Sequence, residues 1–345
     1  MKQTPASLGI AILGSGFMGR TYAETIAKFT RGAHLVGVAG GSRAPALASD
    51  YQIASYSSPA DLIRRDDVDA VFVATPHAQH GEQALQAAEA GKHLLIEKPM
   101  ACSVAECDAI LTACAARELR CTIAFTQRLR ICNAKAKEIL DSGRLGRIQH
   151  IRSYQMVPGG MAGLPKWQLE PQNLGTLFGH GVHNFDNIRW LTGQEIKAVY
   201  AKCRSLNPEY TTEGASDALL TLADGSIAYL FSSFQVPKPG FPRSQFAYRI
   251  IAEHGLLDVD AYGEARVAFS GGSWETLATQ PPIDWQGKGF LDPVRLESYS
   301  LHLQDFIDSI HQNRAPSITG WDGRQAVAAA LAAYESSRTG KEISL

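Results

Sequence analysis

The stretch Leu8–Gly19, LGIAILGSGFMG, decides the fold of this chain. Its first half is a short apolar run, and its second half is the glycine-rich segment GSGFMG at 14–19. An apolar run of this length that ends at glycine predicts a buried parallel strand followed by a tight turn into a helix. The helical pattern of Tyr22–Phe29 and a second apolar run at Leu35–Ala39 supply the remaining parts of a β-α-β unit.

Each glycine of GSGFMG has its own predicted role. Gly14 permits the tight turn, Gly16 lets a pyrophosphate approach the bare backbone, and Gly19 lets the helix pack closely on the strand. The helix start directs N–H groups and the positive end of the helix dipole at the phosphates. The segment therefore predicts dinucleotide binding, and the alternative is a glycine-rich turn that binds no ligand. The residues of this predicted site are Gly14, Ser15, Gly16, Phe17, Met18 and Gly19.

Length and composition limit the remaining possibilities. A chain of 345 residues exceeds the size at which one hydrophobic core keeps growing, so we expect two domains. The net charge of −1 offers no basic excess for nucleic acid or an anionic membrane surface. The N-terminus lacks the apolar core of a signal peptide, and no apolar run is long enough to span a bilayer. Six cysteines without a CxxC pair favour a reduced, cytoplasmic protein.

Strands and helices alternate as far as Phe125, which predicts a doubly wound parallel sheet with right-handed crossovers. Ligands of such sheets bind at the carboxyl ends of the strands. The predicted strand ends carry GSGFMG, GGSR, TPH, EKP and FTQR, so these loops should face one cleft. We therefore predict a Rossmann domain over residues 1–126. The further predicted elements are strands Ala70–Ala74, His93–Ile96 and Arg120–Phe125 and helices Pro59–Arg65, Gln79–Ala90 and the helix from the cap Ser103 to Glu118.

Beyond Phe125 the pattern changes to successive strands without intervening helices, with a hairpin signal at Asp224-Gly225. This pattern predicts an α+β domain over residues 127–345, with a largely antiparallel open sheet. Its closing helices, Tyr299–Asn313 and Trp321–Ser337, either stay with it or pack back on the first domain. The predicted helices before them are Ala134–Ser142 and Leu174–Leu191, and the predicted strands are Ile148–Tyr154, Ile196–Cys203, Ala215–Leu222, Ile227–Phe234, Phe246–Ala252, Leu256–Val259 and Arg266–Phe269.

The end of the second strand bears on the choice of cofactor. A site that prefers NAD places Asp or Glu there, bonded to the ribose hydroxyls. This chain has Gly40-Gly41-Ser42-Arg43 instead, and the first acidic residue is Asp50 in the next helix. Ser42 and Arg43 therefore predict a 2′-phosphate contact and NADP as the cofactor. NAD is the alternative, in which Arg43 is a solvated loop residue.

Two further segments carry residues suited to proton transfer. Lys98 follows a strand end, where desolvation would disfavour its charged form; the alternative is a surface lysine paired with Glu97. In the segment 179–187, His180, His183, Asn184 and Asn187 share one helix face at i, i+3, i+4 and i+7 spacing. This face is either the polar wall of a site or a hydrogen-bonded part of the core. A metal site at the two histidines would need a third ligand that the sequence does not indicate, so no metal is predicted.

The GSGFMG turn, TPHAQH at 75–80, GKHLLIEKP at 91–99 and GHGVHNFDNIRWLTG at 179–193 occur in this order. Together they resemble the glucose–fructose oxidoreductase, inositol dehydrogenase and rhizopine catabolism (Gfo/Idh/MocA) family over nearly the whole chain. The resemblance implies an NAD(P)-dependent oxidoreductase. Such an enzyme transfers hydride between a nicotinamide and a secondary alcohol or ketone of a sugar, polyol or related cyclic alcohol. It also implies a homodimer or homotetramer, formed through the open face of the second sheet.

The resemblance also implies roles for individual residues. Lys98 would lie by the nicotinamide and the substrate hydroxyl, and His183 would be the general acid/base. The Lys98–Pro99 bond is expected to be cis. The implied contacts to the nicotinamide ribose are Thr75, Pro76, His77 and His80, and the predicted cofactor site is completed by Glu97, Lys98 and Gln127. The predicted substrate-binding residues are Lys98, Arg128, Tyr154, Trp167, His180, His183 and Asn184, of which Arg128, Tyr154 and Trp167 have structural roles as their alternatives.

One departure affects the predicted chemistry. The family commonly has an aspartate four residues before the helix histidine, and here that position is Gly179. Either His180 substitutes for it, or the substrate is itself anionic. Two other functions therefore stay open: an NAD-dependent enzyme that cleaves glycosides, as in some relatives, and a non-catalytic NADP-binding sensor.

Overall fold

The computed structural model describes residues 7–242 and 245–345. The described chain divides into two compact units. The first comprises residues 7–126 and 283–324, and the second comprises the described residues of 127–282 together with 325–345. None of the helices within the described ranges is both long and apolar enough to cross a lipid bilayer.

The first unit contains a six-stranded sheet in the order β3-β2-β1-β4-β5-β6, with every neighbouring pair parallel. Its strands are β1 (Leu8–Leu13), β2 (Ala33–Ala39), β3 (Ala54–Tyr56), β4 (Ala70–Val73), β5 (His93–Ile96) and β6 (Cys121–Ile123). This order confirms the predicted Rossmann sheet. The central strands are apolar and buried along their length, as strands covered on both faces must be. The edge strand β3 was not predicted, because its three residues are mostly exposed and carry no apolar run.

Five helices connect these strands: α1 (Phe17–Phe29), α2 (Ala44–Tyr51), α3 (Pro59–Ile63), α4 (His80–Glu89) and α5 (Val104–Ala115). The predicted cap of α5 is confirmed, since Ser103 Oγ accepts a hydrogen bond from Glu106 N at 3.2 Å. The Glu106 carboxylate in turn accepts from Cys102 N at 3.1 Å. These contacts satisfy N–H groups that a helix start leaves without partners.

The second unit contains a nine-stranded sheet in the order β14-β13-β12-β11-β7-β10-β9-β8-β15. All of its pairs are antiparallel except β7 with β10, which confirms the predicted, largely antiparallel sheet. Its strands are β7 (Ile148–Pro158), β8 (Ile196–Arg204), β9 (Ala215–Leu222), β10 (Ile227–Val236), β11 (Gln245–Ala252), β12 (Gly255–Asp260), β13 (Glu264–Phe269), β14 (Glu275–Thr279) and β15 (Ile343–Ser344). The helices that follow α5 are α6 (Ile131–Asp141), α7 (Gly160–Gly163), α8 (Val182–Thr192), α9 (Pro293–His311) and α10 (Gly320–Thr339).

Helix α9 belongs to the first unit and packs on the parallel sheet. The Phe306 ring of α9 lies 5.9 Å from the Phe72 ring on β4, and Tyr22 on α1 lies 5.6 Å from the same Phe72 ring. All three rings are fully buried. Burial of large aromatic side chains contributes strongly to the stability of a core, so α9 is part of the first unit's core.

The predicted helix Leu174–Leu191 begins later than expected. Leu174 has a φ of +58°, which is outside the helical region, and residues Leu177–Gly181 form one π-helical turn before α8. Helix α8 ends as predicted at Gly193, which adopts a left-handed conformation with φ of +66°. The π-turn therefore separates the backbone of His180 from the regular helix that carries His183.

Strand alternation divides the second sheet into two faces. Ser153 on β7 bonds to Asn184 of α8, so the residues next to it in the strand, Arg152 and Tyr154, lie on the opposite face. We call this opposite face the outer face. It carries exposed Leu219 and Ile251, at 47% and 45% of their full exposure.

Candidate functional site

The glycine-rich loop between β1 and α1 is tightly packed except on one side. Gly14 has a φ of +107°, and a Cβ there would lie 2.3 Å from Ala74 O. A Cβ on Gly19 would lie 2.0 Å from Gly14 O. A Cβ on Gly16 would meet Arg43 Nη2 at 3.5 Å and no other described atom within 4 Å. The loop thus excludes side chains where it packs and leaves its backbone bare at Gly16, which fits a dinucleotide pyrophosphate at the start of α1.

The side chains around this loop differ in their exposure. Ser15 is buried, and its N–H donates to Gly40 O at 3.2 Å. Phe17 is exposed at the first position of α1, and Met18 is half-buried. Ser42 and Arg43 are both exposed in the turn between β2 and α2. The Arg43 guanidinium therefore lies beside the bare backbone of Gly16.

The TPH segment at the end of β4 is held in place by the His80 side chain. The ring of His80 is completely buried, with Nδ1 2.8 Å from Pro99 O and Nε2 2.7 Å from Thr75 O. Burial lowers the pKa of His80, while the contacts to the carbonyl groups oppose that shift. His77 is buried with its ring 5.8 Å from that of His80, and Pro76 is half-buried. His80 therefore ties the loop after β4 to the EKP segment rather than lying on the loop surface.

The EKP segment after β5 places two opposite charges next to each other. Glu97 is buried and accepts hydrogen bonds from Tyr22 OH at 2.5 Å and from Lys98 N at 3.2 Å. Burial raises the pKa of Glu97, and the Lys98 ammonium opposes this shift. Burial lowers the pKa of Lys98, and the Glu97 carboxylate opposes that shift. The Lys98–Pro99 bond is cis. A lysine with a lowered pKa exchanges protons more readily near neutral pH than an ordinary one.

In the second unit, the polar face of the π-turn and α8 packs on the inner face of the sheet. The buried His183 ring meets Phe246 edge-on with 5.4 Å between ring centroids, and the His180 ring lies 4.4 Å from Phe234. His180 Nε2 is 3.3 Å from Gln168 Oε1. Asn184 is fully buried, and its Nδ2 donates to Ser153 Oγ at 2.6 Å. His180, His183 and Asn184 therefore all face the sheet, with Asn184 serving as a hydrogen-bonded core residue.

The parts of the chain that the structure describes contain no cluster of three or more His, Cys, Asp or Glu side chains placed to hold a metal ion.

Arg128 and Gln127 follow the last strand of the parallel sheet and belong to the second unit. Arg128 makes a buried bidentate pair with Asp186 of α8: its Nε donates to Oδ2 at 2.8 Å, and its Nη2 donates to Oδ1. Gln127 is buried, and its Nε2 donates to Tyr262 OH at 3.1 Å. Arg128 thus anchors its loop to α8, which is the structural alternative for this residue.

The other two predicted wall residues are Tyr154 and Trp167. Tyr154 is on the outer face of the sheet, where its ring is 6.5 Å from that of Tyr229. His183 contacts the inner face, so the structure does not bring Tyr154 and His183 together. Trp167 is half-buried in a short helical turn, and its carbonyl accepts from Asn173 Nδ2 at 2.7 Å.

Several residues around these sites were not singled out from the sequence. They are Tyr22, which bonds Glu97; Asp186, which pairs with Arg128; Gln168, which contacts His180; and Arg130, whose guanidinium lies 4.3 Å from the Tyr262 ring. Asp186 had a local signal, because it lies three residues after His183 on the same helix. The others are distant in sequence from the groups they contact.

Comparison with known proteins supplies the family. Two family models match: an oxidoreductase family with an NAD-binding Rossmann fold, over residues 8–125, and the GFO/IDH/MocA C-terminal domain, over residues 133–258. The chain is 27% identical to oxidoreductase YrbE of Bacillus subtilis (strain 168), over 97% of this chain and 95% of that protein. It is 25% identical to the scyllo-inositol 2-dehydrogenase (NAD(+)) of the same organism, with the same coverage.

A solved structure of a protein of nearly the same length has the same fold. The scyllo-inositol dehydrogenase of Lactobacillus casei with bound NAD(H) and scyllo-inositol superposes with a TM-score of 0.80 at 26% identity, covering 98% of this chain and 99% of that one. The two matched family models together span most of the chain and include β1 to β6 of the first sheet and the central strands of the second. This protein therefore belongs to the Gfo/Idh/MocA family of oxidoreductases.

Proposed function

We propose that this protein is an NAD(P)-dependent dehydrogenase that interconverts a secondary alcohol and a ketone of a sugar, polyol or related cyclic alcohol. The observation that carries the proposal is the glycine-rich loop at 14–19, in which Gly14 and Gly19 have no room for a side chain while the backbone at Gly16 is bare. Family membership supplies the reaction type. Relatives named for inositols, such as the scyllo-inositol dehydrogenase described above, support the substrate class.

The cofactor would be held by three groups of residues in the first unit. The loop 14–19 would hold the pyrophosphate, Ser42 and Arg43 the adenosine ribose, and the segments at 75–77 and 97–98 the nicotinamide end. NADP is the proposed preference, because no acidic residue ends β2 and the Arg43 guanidinium lies at the loop; NAD is the alternative. A bound nicotinamide supplies the two-electron oxidation or reduction, and the protein supplies position and proton transfer.

Lys98 and His183 have the proposed catalytic roles. Burial favours the neutral amine of Lys98, so this side chain can polarise the substrate oxygen by a hydrogen bond and exchange a proton with it. His183 would take the hydroxyl proton during oxidation and return it during reduction, at one imidazole nitrogen. The contact with Phe246 restrains the His183 ring, which favours one orientation for the transfer. His80 would position both loops of the first unit through Thr75 and Pro99.

We further propose a division of labour between the predicted domains. Residues 1–126 would bind the cofactor, and residues 127–345 would bind substrate and mediate self-association. The exposed apolar side chains of the outer face support a homodimer or homotetramer formed through that face. No disulfide joins any of the six cysteines, all of which lie in the described residues, and this fits a reducing compartment such as the cytoplasm.

The decisive experiment compares His183→Ala with His254→Ala. His254 is exposed in the turn between β11 and β12 of the same unit, so it is a control histidine away from α8. We expect His183→Ala to lower kcat on inositols and aldoses by at least ~10²-fold while the Kd for nicotinamide cofactor stays nearly unchanged. His254→Ala should retain wild-type turnover. Equal turnover in His183→Ala and wild type would contradict the acid/base assignment.

The same assays separate the two alternative functions. Cleavage of a glycoside without net consumption of cofactor would favour the glycoside-cleaving enzyme. Cofactor binding with no turnover on any sugar or polyol would favour the sensor.

A further inference from the structure

The start of the helix that carries His183 is held by two side chains from distant parts of the second unit. Glu213 Oε1 accepts from Leu177 N at 2.6 Å and from Tyr334 OH at 2.9 Å. The Tyr334 oxygen itself accepts from Gly175 N and Phe178 N, both at 3.2 Å. We call this arrangement the Glu213–Tyr334 cap. It satisfies the N–H groups of Gly175, Leu177 and Phe178, at a helix start where such groups lack intrahelical partners.

The cap leaves no space for a side chain at Gly175. A Cβ on Gly175 would lie 1.3 Å from Glu213 Oε2, so this position accommodates only glycine while Glu213 stays in place. Thr176 adds a hydrogen bond from its Oγ1 to Glu213 O at 3.0 Å. The backbone of 175–177 is therefore positioned directly by Glu213.

The cap lies immediately before the π-turn Leu177–Gly181, and His183 is the second residue of α8. A π-turn holds one residue more than an α-turn, so the direction of each later side chain depends on where that turn begins. Leu177, whose N–H bonds Glu213, is its first residue. Displacement of Leu177 would therefore rotate or shift the His183 ring.

Helix α10 holds the other end of α8 as well, which provides a comparison. Gln325 Nε2 donates to Glu195 Oε2 at 3.1 Å, and Glu195 forms a bidentate pair with Arg189 near the end of α8. This second contact lies beyond the last turn of α8, far along the helix from His183. It anchors the helix without adjoining the π-turn.

We propose that the Glu213–Tyr334 cap makes Glu213 a positioning residue for proton transfer by His183. This inference rests on the proposed acid/base role of His183. Tyr334 supports Glu213 by donating to its carboxylate and by accepting from the two backbone N–H groups.

The protonation state of Glu213 gives the cap a pH dependence. Burial raises the pKa of Glu213 to about 6, although the donors of Leu177, Tyr334 and Thr176 favour its charged form. Two titratable side chains face it, Tyr334 on α10 and Cys203 on β8, and burial raises the pKa of both, that of Cys203 to about 11. Neither changes its charge between pH 5 and pH 8. Arg204 at the end of β8 pairs with Asp217 at 3.0 Å.

The sign of the stability effect follows from the raised pKa. A carboxyl whose pKa in the folded protein exceeds its unfolded value stabilises the fold at low pH, and this contribution is lost as the pH rises through the folded pKa. At pH 8 the wild type therefore holds the buried Glu213 carboxylate at a cost in stability. Glu213→Gln keeps an acceptor oxygen and avoids that cost.

The experiment measures kcat, KM and Tm from pH 5 to pH 8 for wild type, Glu213→Gln, Tyr334→Phe and the control Gln325→Ala, with His183→Ala as reference. Because a charged acceptor bonds more strongly than a neutral one, we expect Glu213→Gln to lower kcat ~3- to 10-fold at pH 8, with KM and cofactor Kd nearly unchanged. At pH 5 the Glu213 side chain is mostly protonated and resembles the neutral Gln, so the ratio of wild-type to variant kcat should approach one. Titrations of other groups, common to both proteins, cancel in this ratio. The Tm of Glu213→Gln minus that of wild type should rise from pH 5 to pH 8.

Lower turnover together with higher relative stability distinguishes positioning from a structural role, which would lower both. Tyr334→Phe should lower kcat and accelerate amide hydrogen exchange at residues 175–181, whereas Gln325→Ala should leave kcat unchanged. Any of three results would overturn the inference. They are a ratio of wild-type to Glu213→Gln kcat of one at every pH, normal kcat and amide exchange in Tyr334→Phe, and an equal loss of kcat in Gln325→Ala. If His183→Ala itself retains full turnover, the proposed function fails first; if His183→Ala is inactive while the cap variants are normal, only the cap inference fails.

Discussion

Each unit of this protein places an acidic and a basic side chain next to each other away from bulk solvent, but the two pairs differ in whether the basic partner can lose its proton. In the first unit, burial raises the pKa of Glu97 and lowers the pKa of Lys98, so both shifts favour the neutral forms. In the second unit, Arg128 and Asp186 form a bidentate pair with side chains 7% and 1% exposed. A guanidinium does not lose its proton in proteins, so Arg128 keeps its charge.

The comparison teaches that residue type decides whether a buried charge can take part in proton transfer. A desolvated lysine becomes a proton donor or acceptor, whereas a desolvated arginine keeps its charge and fixes geometry. We therefore assign Lys98 to the proposed chemistry and Arg128 to the attachment of its loop to α8. The following predictions test this distinction.

The largest effect is expected from Arg128→Met. Removal of one partner leaves the Asp186 carboxylate buried and uncompensated, so we expect a loss of roughly 3–5 kcal/mol in the free energy of unfolding. Chemical denaturation followed by circular dichroism measures this loss. The double variant Arg128→Met/Asp186→Leu should recover most of it, because no lone charge remains. Lys135→Met, which breaks the exposed pair of Lys135 and Glu138 on α6, should cost at most ~1 kcal/mol. A loss that is equally small for Arg128→Met would contradict the anchoring role of Arg128.

The next effect is expected from Lys98→Arg. The substitution keeps a positive charge beside Glu97 but cannot exchange a proton, so we expect kcat to fall by about 10²- to 10³-fold. Since burial lowers the pKa of Lys98, the wild-type pH profile of kcat should contain a transition below the ordinary value of 10.5 that the variant lacks. Steady-state kinetics from about pH 6 to pH 10 measures both. Full turnover in Lys98→Arg would show that only the charge matters.

The smallest effect is expected from Arg43→Ala, which removes an exposed charge rather than a buried one. We expect the Kd for NADPH to rise about tenfold while the Kd for NADH is unchanged, since the lost contact is to the 2′-phosphate. Fluorescence titration with both nucleotides measures the difference, with Arg64→Ala, an exposed arginine paired with Asp61, as the control. Equal weakening of both nucleotides would place Arg43 on the pyrophosphate, and no change in either would leave it in solvent.

Local patterns were sufficient to predict most strands of both sheets. Buried strands such as Ala70–Val73 are continuous apolar runs, and helix boundaries such as Ser103 and Gly193 use local capping chemistry. The short edge strands β3, β14 and β15 were missed because they contain few apolar residues, and their pairing is decided by the neighbouring strand.

The candidate sites were predicted less completely than the fold. Lys98, His183 and the loop at 14–19 stand in recognisable motifs, and their roles stay proposals that the variants above test. The partners of these groups could not be found in the same way. Glu213 is 30 residues beyond His183 in the chain, and neither it nor Tyr334 belongs to any motif near the helix it caps.

Residue type and spacing over short distances were enough to predict most strands and helices, the glycine-rich turn after β1 and the family. The folded structure was needed to show which polar residues lie in the core, which cap a helix and which are candidates for chemistry. In the folded chain Tyr154 lies on the outer face, Arg128 pairs with Asp186, and the helical segment that leads to His183 begins at Leu177 rather than at Leu174. Burial, hydrogen-bond partners and pKa shifts arise from groups that folding brings together from distant parts of the chain, and a linear pattern does not contain them.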